Sequence, residues 1–383
     1  MQVVVSSPTN IAVVKYWGKR DALLNLPINS SVSLTLNQAH LRTTTTLTPS
    51  PSAARDELFL NGEPHPVEGR VARVLAMVRA RAPLPSLRIV SSNNFPTAAG
   101  LASSAAGYAA LAFGLAKASG LEVSEEELST FARVGSGSAC RSLAGGFVAW
   151  DMGSKQDGSD SRARQVAPAD HWPELQVLIL VVSDKKKAVS STAGMQTSVE
   201  TSPLLAHRAA QVVPTRMEAM ERAIKSKDFP AFATLAMQDS NQFHATCLDT
   251  HPPIFYLNDT SRAVIALVHA FNSACGEVAL GYTFDAGPNA VLLVLKERAP
   301  QALAAVLAYF PPEEGHEATF VNRAELRQQA EEAGLPEGLA TSFSMSPQPG
   351  VIKQVYHTDV GPGAMVLPPS ESLADAEGMP FAM

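Results

Sequence analysis

A chain of 383 residues is long enough for two or three domains, and its 46% hydrophobic and 17% charged residues are those of an ordinary globular protein. A net charge of −6 argues against a nucleic-acid binder. The longest apolar run, 302–310, is too short to span a membrane, and three widely spaced cysteines, Cys140, Cys247 and Cys275, make neither a disulfide framework nor a CxxC pair.

The first residues lack the basic region and apolar core of a signal peptide, and the last three form no peroxisomal address. The nine histidines show no HExxH spacing. A cytosolic enzyme or binding protein without a zinc site is therefore expected.

In chain order, Lys15 follows an apolar run and precedes Tyr16 and Trp17. It either snorkels to solvent or is held in a cleft for an anionic substrate. Val32, Leu34 and Leu36 alternate with Ser31, Ser33 and Thr35, which predicts a strand. The threonine-rich stretch 41–48 predicts another, and 58–60 followed by Asn61-Gly62 predicts a hairpin turn. A helix is predicted over 69–82, ended near Pro83, and a short strand over 87–91. A loop of small residues then runs into an alanine-rich helix over 101–118. Ser124 and Glu127 predict a capping box for a helix to about 134. A short strand at 147–150, a polar exposed loop over 153–164 and a buried strand over 176–183 follow.

The second half changes character. Helices are predicted over 204–227, 231–247 and 260–274, strands over 279–284 and 290–295, and helices over 300–310 and 324–333, the last stopped by Gly334. Strands give way to helices near Lys187, which divides the chain into 1–187 and 188–383. The final twenty or so residues read either as a disordered tail or as a strap across another domain.

Three of the polar segments invite chemistry. The loop before the alanine-rich helix, with Gly100, Ser103 and Ser104, is an anion site if its N–H groups are free, and otherwise a close helix–sheet contact. It is neither a P-loop nor a dinucleotide fingerprint, because both glycine spacings are missing. The segment 135–142 offers Ser136, Ser138 and Arg141 to a carboxylate or phosphate, or is a Gly-Ser turn with a surface arginine. Asp285, between two apolar strands, is a turn former or a catalytic carboxylate. Together these residues make the inventory of a small-molecule phosphotransferase, with the acceptor unnamed.

At these residues the chain resembles the mevalonate diphosphate decarboxylases, a family of the galactokinase/homoserine kinase/mevalonate kinase superfamily. The superfamily's phosphate motif matches Pro96, Gly100, Leu101, Ser103, Ser104 and Ala105. The decarboxylase signatures match 10–20, 26–31, 135–142, 182–184 with 190–192, and 285–290, in the family's order. The resemblance implies a two-domain α+β fold, with a left-handed β-α-β unit in an N-terminal ATP- and substrate-binding domain and a ferredoxin-like C-terminal domain carrying the catalytic aspartate. It implies ATP- and Mg²⁺-dependent conversion of mevalonate 5-diphosphate to isopentenyl diphosphate, and a homodimer.

It also implies roles. Asp285 is the catalytic aspartate beside the substrate's C3 hydroxyl, and Lys15 lies close to it. Arg141 and Asn10 hold the substrate carboxylate. Tyr16, Lys19, Ser136, Ser138, Ser191, Thr192 and Met195 surround its diphosphate. Ser92, Asn93 and Asn94, with Ala99, Gly100, Leu101, Ala102, Ser103 and Ser104, approach ATP, and Ser104 is a Mg²⁺ partner. The glutamate that several superfamily kinases use as a second metal ligand has no counterpart here. Lys185, Lys186 and Lys187 form either a phosphate contact or a solvated basic face. Two rival readings are a kinase that phosphorylates without decarboxylating and a silent binding protein on the same fold.

Overall fold

The computed structural model describes residues 2–50, 54–95, 103–183 and 187–381. The first half opens with strands β1 (Val3–Pro8), β2 (Asn10–Val14), β3 (Lys19–Asp21), β4 (Leu26–Pro27), β5 (Ser31–Thr35) and β6 (Arg42–Pro49). A hairpin of β7 (Glu57–Leu60) and β8 (Glu63–His65) leads through helix α1 (Gly69–Arg79) to β9 (Leu87–Asn93). The hairpin turns where predicted, on Asn61 and Gly62, both with positive φ. Helices α2 (Ser103–Ser119) and α3 (Glu125–Gly135), a 3₁₀ turn over Gly137–Ser142, and strands β10 (Phe147–Trp150) and β11 (Ala163–Ala167) complete it.

The second half starts with β12 (Leu175–Val181) and helices α4 (Ser191–Thr201), α5 (Pro203–His207), α6 (Val213–Ser226), α7 (Phe229–Asp249) and α8 (Asp259–Cys275). Strands β13 (Leu280–Phe284) and β14 (Ala290–Leu295), helices α9 (Ala299–Tyr309), α10 (Ala324–Ala333) and α11 (Leu339–Ser342), and strands β15 (Gln354–Asp359) and β16 (Met365–Val366) follow.

The larger sheets run β16-β1-β6-β9-β7-β8, β11-β10-β5-β2 and β13-β14-β12-β15. Among the described residues, β7 and β9 are the only strands paired in parallel, joined through β8 and α1. The apolar faces of α1, α2 and α3 cover the first sheet, where Val74, Ala109 and Phe131 meet Val5, Leu47 and Ile89. Helices α8, α9 and α10 cover one face of the third sheet. A further core belongs to both halves: Val32 and Leu34 of β5 pack with Val177 and Ile179 of β12, Met220 of α6 and Phe232 of α7. The two halves thus bury apolar surface against each other, which fixes the cleft between them.

Several expectations need correction. The predicted helix over 204–227 is broken, because a π-helical turn over Arg208–Val212 separates α5 from α6. Only half of the capping box forms: Ser124 accepts from the Glu127 N–H, but the Glu127 carboxylate instead takes Arg81. The loop over 153–164 is not simply exposed. Gly158 and Ser161 are buried, and the Arg133 guanidinium donates to both their carbonyls.

The chain end straps back. After β15 it returns to the first sheet, where Val366 pairs with Val5. Beyond it, Glu371 meets Arg42 at 2.5 Å, and the Leu373 N–H donates to Thr46 Oγ1 at 2.9 Å. The returning segment passes so close to 143–145 that a Cβ on Gly363 would overlap the Leu143 carbonyl. Gly363→Ala is therefore expected to cost about 2 kcal/mol or more, as overpacking against backbone does. Denaturant unfolding with an unchanged m-value checks this.

Candidate active site

Between the halves lies a cavity of about 550 Å³. Residues far apart in sequence line it because separate elements end there: β2 delivers Asn10 and, just past its end, Lys15 and Tyr16; α2 delivers Ser103 and Ser104. The 3₁₀ turn delivers Ser138 and Arg141, α4 delivers Ser191, Thr192 and Met195, and the β13–β14 turn delivers Asp285. Lys19 and Ser136 also reach it. Among the described residues its basic side chains are Lys15, Lys19, Arg70, Arg141 and Lys187, against the single carboxylate of Asp285. That balance favours a multiply charged anion.

Asp285 follows directly on β13. Asn289 pins the far side of its turn by accepting from the Val182 and Ser183 N–H groups at 2.8 and 3.0 Å. Lys15 Nζ donates to Asp285 Oδ1 at 2.6 Å, with the lysine 4% and the aspartate 40% exposed. Of the two readings of Lys15, the cleft is the one realised. Burial pushes the Asp285 carboxyl up, but the charge and hydrogen bond of Lys15, with Lys187 and Arg141 beyond, outweigh it and hold the group below the usual carboxylate range. His244 adds no charge there, because burial pulls its imidazole down to about 3.

Arg141 is no surface arginine. Its guanidinium is buried and donates to Ser33 Oγ at 3.0 Å, Ser31 Oγ at 2.7 Å and Asn10 Oδ1 at 3.4 Å. The Asn10 amide is oriented in turn, since its Nδ2 donates to Ser142 Oγ at 2.8 Å and the Ser138 carbonyl at 3.0 Å. No carboxylate pairs with Arg141 among the hydrogen bonds and ion pairs of the described residues, so its charge is available to an acidic ligand.

Hydroxyls of Ser104, Ser136 and Ser138 form a row spaced at 3.4 Å between α2 and the 3₁₀ turn. The Tyr16 hydroxyl is buried without a hydrogen-bond partner among the described residues, and burial raises its pKa, so it stays a neutral donor. Helix α4, which sequence periodicity did not reveal, presents its N-terminus to the cavity, with Ser190 as N-cap. It is seated by Trp17, whose Nε1 donates to Ser198 Oγ at 2.9 Å and whose ring meets Phe243 edge-on at 4.8 Å.

A second cavity of about 300 Å³ shares Arg70, Ser103 and Ser104 with the first. Leu58, Leu60, Ile89 and Leu111 make it largely apolar, with Asn61, Ser91 and Asn93 at its polar positions. Ser91 lines this cavity and Ser92 and Asn94 a separate depression with Arg42 and Thr44, while Asn93, at the end of β9, lines both. Asn94 there accepts from the Arg42 N–H at 2.8 Å. Ala99, Gly100, Leu101, Ala102, Lys185 and Lys186 lie outside the described residues, whereas Lys187 lines the first cavity and donates to the Ala286 carbonyl at 2.5 Å. Arg70 was missed from sequence: a lone arginine opening an ordinary helix carries no local signal.

Residues 7–163 match the diphosphomevalonate decarboxylase-like N-terminal domain, and 177–367 match the mevalonate 5-diphosphate decarboxylase C-terminal domain. The chain belongs to the diphosphomevalonate decarboxylase family. The family's human diphosphomevalonate decarboxylase is 52% identical, covering 99% of this chain and 97% of that protein. The fold matches the solved mevalonate diphosphate decarboxylase from Trypanosoma brucei with a TM-score of 0.91 at 42% identity, over 97% of this chain and 100% of that one. Another solved member, described as in complex with MVAPP, AMPPCP and magnesium, matches with a TM-score of 0.74 at 33% identity, over 96% of this chain and 99% of that one.

Proposed function

We propose that the protein converts mevalonate 5-diphosphate and ATP to isopentenyl diphosphate, ADP, phosphate and CO₂, by phosphorylating the C3 hydroxyl in the first cavity. The observation that carries this reading is the placement of one carboxylate, Asp285, within a ring of five basic side chains, in a chain whose whole length follows the decarboxylase family.

Asp285 accepts a hydrogen bond from the C3 hydroxyl and aims its oxygen at the γ-phosphorus of ATP. Transfer through a loose transition state leaves little charge on the attacking oxygen until late, so a carboxylate of lowered basicity still suffices to orient it and take the proton. The C3–O bond then breaks with its electron pair leaving on phosphate. Positive charge builds at C3, and the C1–C2 bond electrons form the C2–C3 double bond as CO₂ departs. Arg141 and Asn10 hold the carboxylate that is lost. Tyr16, Lys19, Ser136, Ser138, Ser191, Thr192 and Met195 surround the diphosphate.

Arg70, Ser103 and Ser104 stand where the two cavities join, which suits the ATP phosphates, and the apolar second cavity suits the base. No group of three or more His, Cys, Asp and Glu able to hold a metal exists among the described residues. The Ser104 hydroxyl, which lines both cavities, would be this chain's ligand to a Mg²⁺ brought with ATP. Such an ion neutralises phosphate charge. We further assign the chain to the cytosol as a homodimer, the arrangement implied by the family. The sequence divides the chain at Lys187, which leaves β12 in the first half; because β12 pairs with β14 and β15, we move that division to before β12.

Purified protein given ATP, Mg²⁺ and mevalonate, its 5-phosphate or its 5-diphosphate is expected to release CO₂ only from the diphosphate. ADP without CO₂ would favour the kinase reading, and nucleotide binding without turnover the silent one. Arg141→Ala is expected to lower kcat/KM for the acidic substrate ~10²-fold, the scale of one or two lost charge-assisted hydrogen bonds, with nucleotide Kd unchanged. Titration with a fluorescent nucleotide and initial-rate kinetics separate the two.

A further inference from the structure

Behind Lys15 lies a charge cluster that does not line the cavity. Arg208 and Asp239 are both fully buried and joined by two hydrogen bonds of 2.8 and 2.9 Å. Arg208 opens the π-helical turn between α5 and α6, and Asp239 sits in the middle of α7. We propose that this pair is a positioning device that clamps the peptide groups of Lys15 and so holds its ammonium against Asp285. The inference rests on the reading of Lys15 and Asp285 as the pair at the reacting centre.

The contacts are specific. Strand β2 ends at Val14, after a register shift between Ala12 and Val14, so its ladder stops before Lys15. Side chains take over: the Lys15 N–H donates to Asp239 Oδ1 at 2.7 Å, and Arg208 Nη2 donates to the Lys15 carbonyl at 3.1 Å. Asn29 Nδ2 supports the same carbonyl at 3.0 Å. The remaining Asp239 oxygen takes Arg208 Nη1 at 2.9 Å and Arg216 Nη1 at 3.0 Å.

A buried ion pair is a poor way to add stability, since apolar residues of similar volume do as well or better. Here the Arg208 fork is spent on Asp239, the Lys15 carbonyl and Gln242 Oε1, the last at 2.7 Å, while its Nε is buried without a partner among the described residues. That arrangement is hard to explain as packing and natural for a clamp. A π-turn adds a residue to the helix, re-aiming the side chain that follows, and such turns recur at functional sites.

The test uses Arg208→Lys, which keeps the charge and loses the fork, with Arg216→Met as control. Arg216 shares Asp239 but does not touch Lys15. Assayed well below each variant's Tm, Arg208→Lys is expected to lower kcat ~10–10²-fold with both KM values within about twofold, the scale of a small misplacement at a reacting centre. Its acid limb of kcat moves to higher pH. Asp285 is faced by Lys15, Lys187, Arg141 and the neutral His244, and a loosened Lys15 withdraws the nearest cation. Arg216→Met keeps the wild-type kcat and limb.

A wild-type kcat and limb in Arg208→Lys, or equal losses in both variants, would overturn the clamp. Should Arg208→Lys not fold, hydrogen exchange on the unaltered protein decides: the Lys15 amide is expected to exchange only with global unfolding, and exchange at loop rates overturns the proposal. Wild-type protein that releases no CO₂ would instead overturn the proposed function, leaving the exchange result to judge the clamp alone.

Discussion

Asp285→Asn is expected to lower kcat at least ~10²-fold, the loss typical of a removed general base, while nucleotide affinity and the unfolding midpoint stay close to wild type. The amide keeps the size of the carboxylate, and the turn is held by Asn289 rather than by the Asp285 side chain. What is lost is the acceptor for the C3 proton and the negative charge beside a carbon that becomes positive. Both matter more in the transition state than in the bound substrate, so kcat carries the effect and KM does not. The Lys15 ammonium loses its anionic partner at 2.6 Å and turns to the substrate's own charges. Turnover within a few-fold of wild type would remove Asp285 from the reaction.

Lys15→Met is expected to cost ~10²–10³-fold in kcat, the range seen when one preorganised donor at a reacting centre is removed. It also has a pH signature whose sign follows from the site. Burial raises the Asp285 carboxyl, and Lys15 is the first of the groups that lower it. Without Lys15 the carboxyl titrates at higher pH. The active species is the carboxylate, so activity is lost as pH falls through that value, and the acid limb moves up. The same linkage bears on stability: a folded-state pKa below the unfolded value contributes stability above the unfolded pKa, lost as pH falls through the folded one. Lys15→Met removes that contribution, so its unfolding midpoint falls less on acidification than that of wild type. A rate–pH profile from pH 4 to 8 checks the first effect, and thermal melts carried down below the ordinary carboxylate value of about 3.9 check the second.

Much of the fold was legible where local chemistry and tertiary environment agree. Asn61-Gly62 turns a hairpin because both residues accept positive φ, and 290–295 reads as a strand because both its faces are covered. Helix α4 was invisible because its residues, from Ser191 to Thr201, make no apolar stripe; only Gly194 and Ser198 are buried, and docking on Trp17 and α7 holds it. Strand β15 was missed because a polar Gln-Val-Tyr-His-Thr-Asp run becomes a strand only beside β12. The π-turn has no sequence signature of its own.

The site divides in the same way. Composition and spacing led as far as an anion site with a carboxylate and singled out Lys15, Ser103, Ser104, Ser136, Ser138, Arg141 and Asp285, and resemblance supplied their roles and the remaining residues. Thirteen of those named line one cavity: Asn10, Lys15, Tyr16, Lys19, Ser103, Ser104, Ser136, Ser138, Arg141, Ser191, Thr192, Met195 and Asp285. Arg208 and Asp239 stayed hidden, because a charged pair in the middle of helices reads as solvated surface until the fold buries it.

In the proposed reaction phosphate is placed on the C3 oxygen before CO₂ leaves. Mevalonate 5-diphosphate carrying ¹⁸O in its C3 hydroxyl tests it directly, with the released phosphate analysed by mass spectrometry. One ¹⁸O is expected in every phosphate, and one ADP for each CO₂. Unlabelled phosphate alongside CO₂ would contradict it, because the C3–O bond would then have broken without ever bearing the phosphoryl group.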